Sequence, residues 1–146
     1  MRIGAMPMVR QWTMLVFAAF SWCPVTSWAC GWYLMVAPPM MDHRPDMSRP
    51  LHVWNQRESF DSAKACEVGR IRELASHAVV FAVASLTDTR PDERFNVKAL
   101  STATEQWLLS GDSTTISPRI LQPIAQAILT LKPGYLCIAT DDPRLK

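Results

Sequence analysis

The chain lacks the short motifs that mark most catalytic and cofactor sites. There is no Gly-x-Ser-x-Gly nucleophile elbow, and none of the four cysteines forms a Cys-x-x-Cys pair. The glycines are too scattered to form a phosphate-binding loop: Gly4, Gly31, Gly69, Gly111 and Gly134. Sequence motifs therefore assign no reaction, no catalytic residue and no cofactor.

The chain also lacks an excess of charge of one sign. It carries 15 Lys and Arg against 13 Asp and Glu, and two of the basic residues, Arg2 and Arg10, lie at the N-terminus. The rest of the chain is formally neutral. Nucleic-acid-binding proteins concentrate a basic excess on one face to displace counterions. We therefore expect no nucleic-acid partner.

No N-terminal apolar run is long enough to span a membrane. A spanning helix needs about twenty apolar residues, whereas the run at residues 14–23 is half that length and stops at Pro24. Arg2 and Arg10 precede it. A positive start followed by a short apolar segment is typical of a secretory signal peptide, with an uncleaved membrane anchor as the alternative.

The position of the cleavage site determines the first residue of the mature chain. Ser27 and Ala29 are the small residues expected at −3 and −1, which predicts a signal peptide at residues 1–29 and one domain at residues 30–146. The mature protein would then be periplasmic or extracellular. Cys30 would occupy the position that bacterial lipoproteins acylate, but Ser27 and its neighbour depart from the usual lipobox. Lipidation of Cys30 and simple cleavage both stay open, and a lipid anchor is the only membrane attachment we expect.

The cysteine count favours a pairing of Cys66 with Cys137. Removal of residues 1–29 leaves Cys30, Cys66 and Cys137, and an odd number in an oxidising compartment leaves one thiol over. If Cys30 carries lipid, the other two pair. Such a bond would close a loop of roughly 70 residues. Arrangements with a free thiol, and a redox-active pair, are the alternatives.

The apolar pattern predicts a small α+β domain of about three helices against a short antiparallel sheet made by the terminal strands. Two apolar runs, residues 32–36 and 135–140, read as buried strands. The alternating residues 51–55 suggest a further short strand. Four prolines make residues 37–50 a loop.

Helix-start and helix-stop residues predict the three helices. The first begins at Asp61 as N-cap, with Phe60 packed on its first turn and Cys66 facing inward. The second covers residues 97–109 and ends near Gly111, and the third covers residues 118–131. Residues 78–86 are almost continuously apolar, and periodicity does not decide between helix and strand there.

Three blocks of the chain resemble a group of small uncharacterised secreted bacterial proteins. The blocks are WYLMxxPP (residues 32–39), FDSAxxCE (residues 60–67) and CxAxDDPRL (residues 137–145). The resemblance covers about a quarter of the predicted mature chain. It implies an exported protein with a Cys66–Cys137 pair and implies no activity. Cys30 lies outside the blocks.

Several residues are candidates for a metal, catalytic or binding site, and each has a simpler interpretation. Asp42, His43, Asp46 and His52 carry zinc-ligand chemistry, but they lie in or beside the proline-rich loop without ligand spacing, so a solvated loop is favoured. We expect His77 at a helix end or on the surface. Asp141, Asp142 and Arg144 are interpreted as a charged turn after the last strand. Trp32, Trp54 and Trp107 are interpreted as core residues.

Three function classes remain open from the sequence. The favoured one is a non-enzymatic envelope protein that binds an unidentified protein or ligand, or supports an assembly. A hydrolase or metal-dependent enzyme would bring His43, His52 or His77 together with Asp141 or Asp142. A small-ligand carrier would have an apolar cavity, which we expect to be lined by Trp54, Met35 or Phe81.

Overall fold

The computed structural model describes residues 31–89 and 94–146 of the chain. The predicted signal peptide at residues 1–29 and the possible lipidation site Cys30 lie outside these residues. Residues 90–93 lie outside them as well.

A three-stranded antiparallel sheet forms one layer of the domain. Its strands are β1 (Trp32–Val36), β2 (Asn55–Phe60) and β3 (Tyr135–Ala139), and β1 lies in the middle in the order β2-β1-β3. β1 is central because it is the most apolar strand, with its last three residues buried. The predicted pairing of the terminal strands β1 and β3 is confirmed, with Leu34 opposite Cys137.

The prediction of a strand at residues 51–55 is wrong. Leu51–Val53 forms a single 3-10 turn after Pro50, and β2 begins only at Asn55. The apolar residues of this stretch do not share one buried face, because Trp54 is buried and Val53 is exposed. β2 itself is an exposed edge strand with polar residues on both faces, so no apolar alternation marks it.

The first helix, α1 (Ala63–Thr89), is longer than the helix expected from the sequence. It continues through residues 78–86, which resolves the open choice in favour of helix. Ala75, Ala78 and Ala82 are each at most 1% exposed and recur at helical spacing. These small side chains let neighbouring elements approach closely, and this tertiary packing overrides the strand preference of the adjacent valines.

The start of α1 also differs from the expectation. The cap is Ser62, whose Oγ accepts a hydrogen bond from the Ala65 backbone N–H at 3.1 Å, and not Asp61. Phe60 packs against Gly69, two turns into the helix and not on its first turn. Cys66 is fully buried, as predicted.

The other two helices begin and end where their capping residues predict. In α2 (Val97–Ser110), the Asn96 side chain accepts from the Ala99 N–H, and Gly111 closes the helix with a left-handed φ of 80°. In α3 (Pro118–Leu131), proline stands in the first turn, where its missing N–H costs nothing.

The sheet separates two apolar clusters. The larger cluster lies on the helix side and joins all three helices to Val36 and Tyr135. The smaller one lies on the other face, where Trp54 packs with Met35 and Ile138. Trp54 is thus a core residue, as expected, and Trp107 is a partly buried residue packed on the larger cluster.

A disulfide bond between Cys66 and Cys137 joins the helical layer to the sheet. Cys66 lies on α1 and Cys137 on β3, with their Cα atoms 5.9 Å apart. Apart from the backbone, no other covalent cross-link connects the two layers within the described residues. The bond closes a loop of 71 residues, which contains α2 and α3.

We predict that loss of this bond strongly destabilises the protein. For a separation of 71 residues, the chain-entropy model gives about 4 kcal/mol at 25 °C. The double variant Cys66→Ala/Cys137→Ala should lose up to about that free energy of unfolding in urea. Reductant should lower the midpoint of the wild type towards that of the variant and leave the variant unchanged. A wild-type midpoint that is insensitive to reductant would contradict the prediction.

Candidate functional site

A cavity of about 370 Å³ lies between α1, the start of β3 and the proline-rich loop. This volume is at the lower end of the range found for small-molecule sites. Most of its wall is apolar and comes from Val36, Ala37, Val80, Phe81 and Leu131. The cavity explains why Val80, on an otherwise buried stretch of helix, is 52% exposed.

A β-bulge in the edge strand places Arg57 on the cavity wall. Leu34 pairs with Glu58, but the next residue, Met35, pairs with Gln56, so Arg57 is the extra residue. In a regular strand, Arg57 and Glu58 would face opposite sides of the sheet. The bulge breaks this alternation and turns Arg57 towards α1, where its Nε lies 3.7 Å from Glu73 Oε1.

Four side chains from three elements form a continuous polar cluster beside the apolar wall. Glu73 and His77 are one turn apart on α1, with Glu73 Oε1 3.6 Å from His77 Nε2. The other ring nitrogen, Nδ1, is hydrogen-bonded to the Tyr135 hydroxyl. Arg57, Glu73, His77 and Tyr135 are called the polar cluster below, and all except Glu73 line the cavity.

Burial is the main reason that Tyr135 stays protonated. Burial raises the pKa of the phenol well above its usual value, and the nearby carboxylate of Glu73 raises it further, while Arg57 partly offsets both effects. Tyr135 is therefore a neutral hydroxyl at physiological pH. It can donate or accept a hydrogen bond, but it is a poor nucleophile and a poor acid.

The proline-rich loop forms the third wall of the cavity. It contributes Pro39, His43 and Pro45, and a backbone bridge between Pro39 and Pro45 closes the loop on itself. His43 adopts a left-handed φ of 63°, which is uncommon for a residue other than glycine. Asp46 N–H donates to the Pro38 carbonyl at 2.8 Å, so the loop is an ordered wall.

The structure does not bring the other candidate metal ligands of the loop together. Asp42 pairs with Arg44 at 3.3 Å, and Asp46 binds Ser48 and Arg49. The hydrogen bond from Ser48 is the main cause of a lowered pKa of Asp46. In residues 31–89 and 94–146, no three His, Cys, Asp or Glu side chains are grouped as metal ligands would be.

The interpretation of Asp142 as part of a charged turn is confirmed. Its carboxylate accepts from Arg144 Nη2 at 2.7 Å and from the Arg144 backbone N–H at 2.9 Å. These hydrogen bonds, the side-chain one first, lower the pKa of Asp142 to about 2. Neither Asp141 nor Asp142 lines the cavity.

The placement of His77 corrects the sequence-based expectation. It lies in the middle of α1, half-buried, and contacts Tyr135, which is 58 residues away in sequence. Residues 73 and 77 have the i, i+4 spacing of helical neighbours, and this was the one signal available in the sequence. The cavity is lined by Phe81, as the carrier hypothesis expected, but not by Trp54 or Met35.

Comparisons with known proteins add no further assignment. No protein-family model, no curated protein and no solved structure matches the chain. Among the helices of the described residues, none combines the length and the apolar character that crossing a bilayer requires. The site must therefore be interpreted from its own geometry.

Close contact between Gly134 and Pro45 yields a prediction about the cavity wall. A Cβ at position 134 would overlap Pro45 Cβ and lie 3.0 Å from its Cγ. Gly134→Ala should therefore push the loop away from β3 and cost about 1–3 kcal/mol of stability, measured by urea denaturation.

The control is a double-mutant cycle with Pro45→Gly, which removes the overlapping atom. Gly134→Ala should cost much less in that background. An equal loss of stability in both backgrounds would mean that the contact with Pro45 does not hold the loop in place.

Proposed function

We propose that this chain is an exported, non-enzymatic binding protein of the bacterial envelope that takes a small amphipathic molecule into its cavity. One observation carries the proposal: a mostly apolar cavity of about 370 Å³ has the connected polar cluster in its wall, and His43 and Asn55 are the further polar side chains that line it. Apolar walls with few, grouped polar side chains are typical of small-molecule sites. The apolar part of the ligand would contact Val80, Phe81 and Leu131, and its polar end would reach His77 and Tyr135.

The chemistry of the polar cluster favours binding over catalysis. An enzyme built on His77 would need a nucleophile or an acid within reach of the imidazole. Among the described residues, the hydroxyl bound to His77 is that of Tyr135, and its raised pKa keeps it protonated. Neither Asp141 nor Asp142 reaches the cavity, so the convergence expected for a hydrolase does not occur there.

Three features support export. Stable disulfides form in oxidising compartments such as the periplasm, and Cys66 and Cys137 are bonded. The signal-like residues 1–29 and the resemblance to secreted bacterial proteins agree with this. Residues 30–146 contain three cysteines, and Cys30 is the one outside that pair. Cys30 is therefore the residue that would carry a lipid anchor.

Titration with 1-octanol tests the binding proposal. The probe has an eight-carbon apolar chain and one hydroxyl, and at about 0.5 kcal/mol per heavy atom it should bind with a sub-millimolar Kd. Backbone amide shifts in NMR spectra should saturate, and the largest should come from residues that line the cavity. Ala84, an exposed residue on the cavity wall, offers a blocking variant: Ala84→Trp should weaken binding at least about tenfold.

The matched control is Ala65→Trp, on the exposed side of the same helix and outside the cavity. It should bind 1-octanol as the wild type does. Absence of saturable binding to the wild type, or unchanged binding to Ala84→Trp, would refute the proposed function.

A further inference from the structure

His77 has a different partner on each ring nitrogen, and this defines the hydrogen-bond direction when the ring is neutral. The carboxylate of Glu73, 3.6 Å from Nε2, favours the proton on that nitrogen. Nδ1 is then the acceptor, and the Tyr135 hydroxyl must donate to it. The phenolic oxygen is left with only lone pairs to offer a ligand. In this state the polar cluster accepts hydrogen bonds at Tyr135.

Protonation of His77 reverses that direction. Both ring nitrogens of an imidazolium are donors, so Nδ1–H would donate to the phenolic oxygen and release the tyrosine proton. Tyr135 could then donate to a ligand. The charge also changes: Arg57 and Glu73 balance each other when His77 is neutral, and a protonated His77 gives the polar cluster one net positive charge.

Few other groups face His77 from the elements packed against α1. β2 supplies Arg57, β3 supplies Tyr135, and the proline-rich loop supplies His43. Leu131, which is apolar, is the one residue of α3 (residues 118–131, all described) that lines the cavity. Between α1 and α2, Arg72 forms an ion pair with Glu105 at 3.5 Å, and neither residue lines the cavity. Histidine is the side chain whose ordinary titration falls between pH 5 and 8, so His77 and His43 are the residues to test.

We propose that the ionisation of His77 selects the polar end of the ligand, and that below neutral pH the cavity takes an apolar-tailed monocarboxylate. The carboxylate would accept a hydrogen bond from the released Tyr135 hydroxyl and face the positive charges of His77 and Arg57. At higher pH the same oxygen offers lone pairs to the anion and repels it. This inference rests on the proposed function, because it assigns the ligand class of the same cavity.

The test compares octanoate with 1-octanol, which share the apolar chain and differ in charge. Each is titrated at about pH 5.8 and about pH 8, where octanoate stays mostly ionised and histidine changes charge. Octanoate should bind about tenfold more tightly at the lower pH, the scale expected for one charge-assisted hydrogen bond. Binding of 1-octanol should change less than about twofold, because its hydroxyl can donate as well as accept.

Three variants locate the effect. His77→Gln keeps an amide that can bind Tyr135 but carries no charge, so octanoate binding should lose its pH dependence. His43→Gln should retain that dependence. The matched control His52→Gln, an exposed histidine outside the cavity, should behave as the wild type throughout.

The experiment distinguishes failure of the proposed function from failure of the His77 inference. If neither probe binds, the proposed function is wrong and this inference falls with it. If 1-octanol binds but octanoate shows no pH dependence, or if both probes respond to pH equally, the cavity binds ligands without the His77 switch and only this inference is overturned. Dependence that survives in His77→Gln and disappears in His43→Gln also overturns it.

Discussion

The disulfide between Cys66 and Cys137 is the constraint on which the rest of the structure depends. It attaches α1 to β3, and these two elements carry His77 and Tyr135, whose hydrogen bond forms the centre of the polar cluster. A domain with a predicted mature length of 117 residues has a modest core. A cross-link worth about 4 kcal/mol is large beside the total stability of about 5–15 kcal/mol expected for such a domain. Such bonds form and persist mainly in oxidising compartments, so the bond also supports the proposed export.

Local signals in the sequence predicted most of the fold. Gly111 and Pro118 mark a helix end and a helix start by their own backbone preferences, and α2 and α3 lie where those residues place them. β2 was misplaced because its polar residues form an exposed edge strand with no apolar periodicity. The sequence does not determine the extent of α1, because a stretch buried by tertiary packing has no distinctive local pattern.

The candidate site could not be predicted from the sequence, and the reason is physical. Its residues are brought together by long-range packing, as with His77 and Tyr135. Arg57 faces α1 only because β2 contains one extra residue at the bulge. Neither the composition nor the residue spacing of β2 predicts a bulge at that position. The sequence did limit the chemistry: it contained no motif for a nucleophile or a metal, and the cavity has grouped hydrogen-bonding residues instead. In the proposed binding site, the polarity of the cavity wall depends on His77.

The most direct test of this account is an intact mass of the protein matured from the full precursor in a bacterial host, with thiols alkylated before and after reduction. We predict a chain that begins at Cys30, with or without acyl chains on that residue, and Cys66 and Cys137 protected from alkylation until reduction. Acyl chains would identify a lipoprotein, and their absence a soluble exported protein. A chain that retains residues 1–29 and is alkylated at Cys66 and Cys137 without reduction would contradict both export and the bond that holds the site together.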